Sequence, residues 1–339
     1  MNATDARYTQ FALCREMMDT VGVVDRFDPS RYAEAAETVA RAGRLFLTGE
    51  GSSRIFPAKN AIRKALTWGA DLCVATEGSR QAASYDLSRF AVFGASNSGR
   101  TAEVIAVLER LAEDGNPNRF GLTANEDTLL ERHAAKTFVL TCGWEQAVAA
   151  TKSVVEQALV YQSIVGHVAG RDMAGDLAGA ADKVREALTT TIDPRIVQAL
   201  AKAPTVYFAG YNDGVAEELT LKTNEISRKK SDFLEGTYAV HGIEEVMDPD
   251  DVVVVIEPIE EEVGKFQQVL VDGVGLTVVA ISAVDTPFET IRVPDAGEMS
   301  PYVFLAAGWN LLVEIGLSLG VDLDKPERAR KVGNEFVQS

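Results

Sequence analysis

The chain is short of the residues from which metal centres and disulfide frameworks are built. It has three cysteines in 339 residues, Cys14, Cys73 and Cys142, and none stands in a C-x-x-C spacing. That argues against zinc knuckles and disulfide-stapled folds, and a reducing cytoplasm fits. The three histidines, His133, His167 and His241, form no cluster, so a histidine-rich metal site is not expected. No metal and no cofactor is expected. Positive charge is also scarce: 33 Lys and Arg face 50 Asp and Glu, a net charge of −17. This balance argues against nucleic acid or an anionic membrane as partner. An anionic small molecule would need local positive groups to offset the field. No apolar run approaches the roughly 18 residues of a membrane-crossing helix. The first residues, "MNATDARYTQFALCREMM", are mixed and charged, unlike a signal peptide.

What is present points to a packed, two-domain α/β protein. Hydrophobic residues make up 46% of the chain, enough for full cores. After a helical segment (1–34), strand-like runs alternate with helical ones. Strands are expected at 44–50, 71–77, 89–96, 118–125 and 136–142, then a long helical region over roughly 145–202. The rhythm returns at 205–211, 231–240, 250–258, 276–282 and 290–295, followed by a helix at about 301–319. Such alternation is that of parallel sheets covered on both faces. One shift along the chain superimposes "LFLTGEG" (45–51) on "VYFAGYN" (206–212), and the same shift superimposes "FAVFGAS" (90–96) on "DVVVVIE" (251–257). A constant offset across two strands and a helix suggests duplication. The expected domains are 35–170 and 171–320, with a tail at 321–339.

The two copies differ at one junction. In "FGASNSGRTAEVIAVLERL" (93–111), an apolar strand meets a helix striped by Val104, Ile105, Val107, Leu108 and Leu111. Ser96, Asn97, Ser98, Gly99, Arg100 and Thr101 occupy the turn between them. Free N–H groups and the positive helix end point outward there, and hydroxyls complete a socket for an anion. Read alone, the junction is also a loop with a good N-cap. In the second copy Glu257 falls opposite Ser96. A second junction, "TGEGSSRIF", offers Ser52 and Ser53 after a neighbouring strand. Junctions after neighbouring parallel strands open on one edge, where α/β folds bind ligands.

In this order, the motifs resemble those of the double sugar-isomerase-domain (SIS) family. That family includes the isomerase half of glucosamine-6-phosphate synthase, ketose–aldose isomerases and fructosamine-phosphate deglycases. "GSS" (51–53) and "SNSGRT" (96–101) match its two anion loops. "VAATK" (148–152) is similar to its Val-Ala-Ser-Thr-Lys segment. "LKTNEIS" (221–227), "HG" (241–242) and "DKPERARK" (324–331) match its catalytic helix, histidine loop and C-terminal tail. The spacing from Glu225 to His241 and that from Asp324 to Lys331 also agree with the family. The resemblance implies two tandem flavodoxin-like domains, each a five-stranded parallel sheet in a three-layer sandwich. It implies that Glu225 moves a proton between C1 and C2 of an open-chain sugar, and that His241 opens the ring. In that family the histidine comes from a second subunit, so a homodimer is implied. Lys222 and Lys331 would stand near the open-chain oxygens. Ser52, Ser53, Ser96, Asn97, Ser98, Arg100 and Thr101 would hold the anion, with Val148 and Arg330 lining the sugar.

The chemistry asks for these residue types independently. Aldose–ketose exchange needs one group that takes a proton from carbon and returns it to the neighbouring carbon. The enediolate oxygen needs positive charge, which a lysine supplies without a metal. Ring opening needs an acid–base group near neutrality, the province of histidine. Lys222 and Glu225, at i and i+3, share a helix face, although such a pair is also an ordinary surface salt bridge. His241 alone reads equally as a turn residue. Glu145, before "VAATK", reads either as a site-lining acid or as a helix-start carboxylate.

Three departures bear on the substrate. Arg100 stands where the family has Glu, Asn or a small residue. Ala150 replaces a serine, and Arg330 replaces a small residue. Extra arginine suggests a different anion at C6: a phosphate on another hexose, or a sulfonate as in sulfoquinovose. No cysteine nucleophile follows Met1, so nitrogen transfer from glutamine is not expected of this chain. The expected function is cofactor-independent isomerisation of a hexose bearing an anionic C6 group. The alternatives are a fructosamine-6-phosphate deglycase and a non-catalytic sugar-phosphate-binding regulator.

Overall fold

The structure, a computed structural model, describes residues 1–328. Arg330 and Lys331 therefore lie outside the described residues. The chain forms two compact units. One comprises Gly22–Gln146 with Ala150–Ala178 and carries the serine loop. The other comprises Met1–Val21, Ala147–Ala149 and Gly179–Glu327 and carries Glu225.

The serine-loop unit holds a sheet of five parallel strands: β1 (Arg44–Gly49), β2 (Cys73–Gly78), β3 (Ala91–Ala95), β4 (Arg119–Thr123) and β5 (Lys136–Val139), in the order β2-β1-β3-β4-β5. Three helices matter for the site: α1 (Ile55–Thr67), α2 (Ala102–Glu113) and α3 (Lys152–Val168). Central strands read as continuous apolar runs because both of their faces are covered. Leu45, Leu47 and Phe93 pack on one face with Tyr161 and Ile164 of α3. Phe46 and Val92 pack on the other with Val104, Leu108 and Leu111 of α2. Phe93 and Phe120 stack with centroids 4.7 Å apart. Each such buried side chain contributes on the order of 1.5–3 kcal/mol.

The second unit repeats the same strand order. Its sheet holds β6 (Thr205–Gly210), β7 (Lys230–Glu235), β8 (Val252–Ile256), β9 (Thr277–Ser282) and β10 (Glu289–Arg292), with β6 between β7 and β8. The constant shift seen in the sequence reappears in the strands. It carries both ends of β1, Arg44 and Gly49, onto the ends of β6, Thr205 and Gly210. It carries Ala91 and Ala95 of β3 onto Val252 and Ile256 of β8. Helix α4 (Val215–Lys222) follows β6, and α5 (Ser300–Ser318) closes the unit.

Several expectations are corrected here. β7 ends at Glu235 rather than running to residue 240, because Gly236 takes φ +55° and the chain turns into a short 3-10 segment, Tyr238–Val240. The stretch 145–151 is not helical; α3 begins only at Lys152, and shorter helices follow it. One segment, Gly297–Ser318, is after all long and apolar enough to cross a membrane, but 83% of its apolar window is buried in the fold. It is a core helix, apolar all round because the unit surrounds it. The N-terminal segment Met1–Val21 belongs to the second unit. The Met1 ammonium donates to Asn310 Oδ1 at 2.6 Å, and Arg7 and Tyr8 both bond Glu314. Asp324, near the other end of the described chain, accepts from the Ala12 and Leu13 amides at 2.6 and 2.9 Å, at the start of the helix Ala12–Asp25.

Candidate active site

The serine loop hangs from the C-terminal ends of two adjacent strands. Gly49 of β1 is in register with Ala95 of β3, so the loops beginning at Glu50 and Ser96 emerge side by side. Ser52 and Ser53 lie in a 3-10 turn, Gly51–Ser53, with Ser52 buried and Ser53 half-buried. Ser96 extends the ladder, its amide donating to Leu122 O, and is itself buried. Its Oγ lies 2.8 Å from Thr101 Oγ1 and accepts from the Thr101 amide at 3.3 Å. Ser98 Oγ accepts from the Arg100 amide at 3.2 Å. Thr101 is the N-cap of α2, yet its hydroxyl makes no capping bond and faces Ser96 instead. The junction is thus more than a capped loop: the hydroxyls pair across the turn, above the positive end of a 12-residue helix. Arg100 is exposed at the rim of the turn.

Asn97 makes bonds within its own unit. Its carboxamide turns inward and donates to Glu145 at 2.8 Å, so the side chain is a strut of the loop. Its carbonyl accepts from Ala124 N, Thr123 Oγ1 and Asn125 Nδ2. Glu145 is fully buried and also accepts from the Thr151 amide at 2.7 Å, from Thr151 Oγ1 and from the amide and hydroxyl of Ser153. It closes the start of α3, where Thr151 supplies no cap of its own. Of its two sequence readings, the helix-start carboxylate describes its contacts. Its tie to Asn97 was not legible in the sequence. Glu156, also buried, does similar work for the amides of Thr141 and Cys142. Burial and the neighbouring Glu156 and Glu145 carboxylates push the Cys142 thiol well above its ordinary range. Val148 is half-buried in the other unit, next to Ala147, whose amide donates to Glu16.

In the second unit, Glu225 sits on unusual backbone. Helix α4 widens after Lys222 into a π-helical turn, Thr223–Ser227, which ends at Arg228 with φ +59° and ψ +20°. Thr223 and Ser227 hydroxyls bond back to the carbonyls of Leu219 and Thr223 at 2.8 Å, a pattern that bends helices. Single π turns are frequent at functional sites. Lys222 Nζ donates to Glu225 Oε2 at 2.7 Å and lies 3.4 Å from Glu218 Oε1. The side chains of Lys222 and Glu218 are wholly buried, whereas that of Glu225 is 28% exposed. The pair is therefore not a surface salt bridge: a desolvated ammonium holds a carboxylate that solvent still reaches. Glu218 was missed in the sequence, although its i, i+4 spacing to Lys222 was a usable signal.

His241 follows the Tyr238–Val240 turn and is exposed. Its Nε2 lies 3.2 Å from Lys265 Nζ, which donates to the ring. Within the chain its ring partner is Lys265, not Glu225.

The chain is 28% identical to the glutamine–fructose-6-phosphate aminotransferase (isomerizing) of Aeropyrum pernix over 97% of its own length, and spans 58% of that protein. Among solved structures it resembles the C-terminal domain of the glucosamine-fructose-6-phosphate aminotransferase of Francisella tularensis, with a TM-score of 0.76, 18% identity and coverage of 96% and 100% of the two chains. It also resembles the tagatose-6-phosphate ketose/aldose isomerase of Escherichia coli, with a TM-score of 0.79, 18% identity and coverage of 96% and 98%. No family model matches the chain. What these structures share with the chain is the fold. The α/β fold with two five-stranded parallel sheets is that of the Francisella tularensis domain.

Proposed function

We propose that the chain is a cofactor-independent aldose–ketose isomerase acting on a hexose with an anionic group at C6. The observation that carries this reading is the Lys222–Glu225 pair, with its buried ammonium and reachable carboxylate 2.7 Å apart. The names of its relatives, sugar isomerases and isomerising aminotransferases, support the same class.

In this reading Glu225 takes the proton from C2 of the open-chain aldose, forming an enediolate, and returns it to C1 while the hydroxyl proton passes from O2 to O1, which gives the ketose. Lys222 stabilises the negative oxygen while it exists, and its burial strengthens that interaction. The Ser96–Thr101 turn, with Ser52 and Ser53 on the neighbouring loop, holds the C6 anion through hydroxyls and backbone N–H groups. His241 opens the pyranose ring and is donated by a second copy of the chain, in keeping with its exposure here. Lys331 and Arg330, which the resemblance assigns to the sugar, lie outside the described residues. A cytoplasmic enzyme of small anionic sugars is the corresponding setting.

Arg100 speaks to the anion. A phosphate monoester carries about −1.5 to −2 charge at pH 7 and is well served by hydroxyls and N–H groups. A sulfonate carries a single charge and is held less well by hydroxyls and N–H groups alone, so a guanidinium that bonds two of its oxygens compensates for the weaker socket. That favours a C6-sulfonate hexose modestly over a hexose 6-phosphate.

The test is an NMR screen of glucose, fructose and tagatose 6-phosphates and of sulfoquinovose in deuterated water, following exchange of the C2 proton of the aldoses and of a C1 proton of the ketoses, with and without a chelator. Isomerisation of any of them supports the reading. Release of an amine from fructosamine 6-phosphate, with no isomerisation, would instead make the protein a deglycase. Binding without either reaction would make it a regulator.

A further inference from the structure

Arg228 lies just after the turn that carries Glu225, and its side chain makes three contacts. Its guanidinium donates to the carbonyls of Glu225 and Ile226, the latter at 3.2 Å, and to Asp322 O at 3.1 Å. The first two carbonyls belong to the end of a helical turn, where backbone acceptors run out of helical donors. The third belongs to the segment that leads to the C-terminal stretch of the chain. That segment is pinned a second time: Asp324 accepts from the Ala12 and Leu13 amides. The backbone of Arg228 is left-handed, a conformation that disfavours a long side chain and is held only when the surroundings over-determine it.

We propose that Arg228 is a positioning residue that locks the π turn of Glu225 to the segment 322–324, so that order in one holds the other. Arginine suits the task because its planar fork reaches several acceptors at once, whereas a lysine ammonium is a single point charge. The connection then runs from Glu225 through Arg228 and Asp322 to Asp324 and the start of the helix Ala12–Asp25. Its effect on turnover rests on the isomerase reading above; the coupling itself does not.

The test uses the full chain with Arg228→Asn and Arg228→Lys. Asparagine tolerates the left-handed backbone but is too short to reach Asp322. Deuterium uptake is followed in peptides covering 219–229 and 320–326, with peptides of β8 and β9 as controls. In Arg228→Asn, uptake in both test peptides is expected to quicken by about five-fold or more while the controls stay unchanged, as for a local opening. Arg228→Lys should restore part of the protection. Unchanged uptake at 219–229, or an equal rise in the controls, would overturn the proposal. In parallel, the interconversion of glucose and fructose 6-phosphates is assayed. Arg228→Asn should lower kcat about ten-fold with KM within about two-fold, the pattern of a displaced reacting group. A wild-type protein inactive on these sugars and on sulfoquinovose alike counts against the isomerase reading, and the exchange data still decide the role of Arg228.

Discussion

Lys222 Nζ stands 2.7 Å from Glu225 and 3.4 Å from Glu218, so one buried ammonium faces two carboxylates, one buried and one open to solvent. Asymmetric exposure separates their duties. Glu218 offsets the desolvated charge of Lys222. Glu225, on the π turn, remains available to a ligand.

Replacing Glu225 with Gln keeps the shape and the bond to Lys222 but removes the proton acceptor. Turnover should fall by at least about a hundred-fold, within the range a general base contributes, while sugar-phosphate binding persists. Steady-state kinetics on the purified variant, with calorimetric binding alongside, checks this. Retention of more than about a tenth of wild-type kcat would remove Glu225 from the role.

Lys222→Met takes the ammonium away from Glu218 and Glu225 together. Breaking a buried charge cluster from one side costs about 3–5 kcal/mol. Urea unfolding should therefore show a large drop in midpoint. A loss under about 1 kcal/mol would mean that the cluster is solvated, as surface pairs are.

Gly99 has φ +65°, and a Cβ there would stand 2.4 Å from Thr128 Cβ. Gly99→Ala should cost about 1–2 kcal/mol through the left-handed strain alone, before the steric clash is added. It should also weaken binding of glucose 6-phosphate, if the serine turn is the anion socket. Thermal melts and calorimetric titration report the two effects separately. A variant with wild-type melting and wild-type affinity would show that the turn tolerates movement and does not hold the anion.

Arg100→Glu should raise KM for the true substrate more than it lowers kcat. A change within about two-fold, roughly 0.4 kcal/mol, would mean that Arg100 touches no substrate, and the sulfonate preference would lose its main support.

If His241 is donated by a second copy, inactive Glu225→Gln and inactive His241→Ala chains should regain part of the activity when mixed, because some mixed dimers carry one intact site. Subunit exchange is verified first by mass-tagged chains. Exchange without recovered activity would place both residues in one chain's site.

The sequence by itself determined the architecture and the positions of the loops. Parallel strands buried on both faces leave uninterrupted apolar runs such as "FAVFGA", and these are visible without a fold. Ser96, Gly99 and Thr101 were legible because turn chemistry is local: a glycine for a positive φ, hydroxyls ahead of a helix. The spacing of Lys222 to Glu225 was legible for the same reason. Tertiary packing alone decided what those groups face. Only the folded unit shows Lys222 fully buried against Glu218, because burial depends on what covers the helix and not on the helix itself. The π turn under Glu225 and the left-handed Arg228 have no periodic signature, since they arise where α4 ends against distant segments such as 322–324. The bond from Asn97 to Glu145 had no signal in the sequence, because the two are remote in the chain and only the fold brings them together. Helix α5 could have served a membrane by composition; it is a core helix because the surrounding unit, and not lipid, covers its apolar surface.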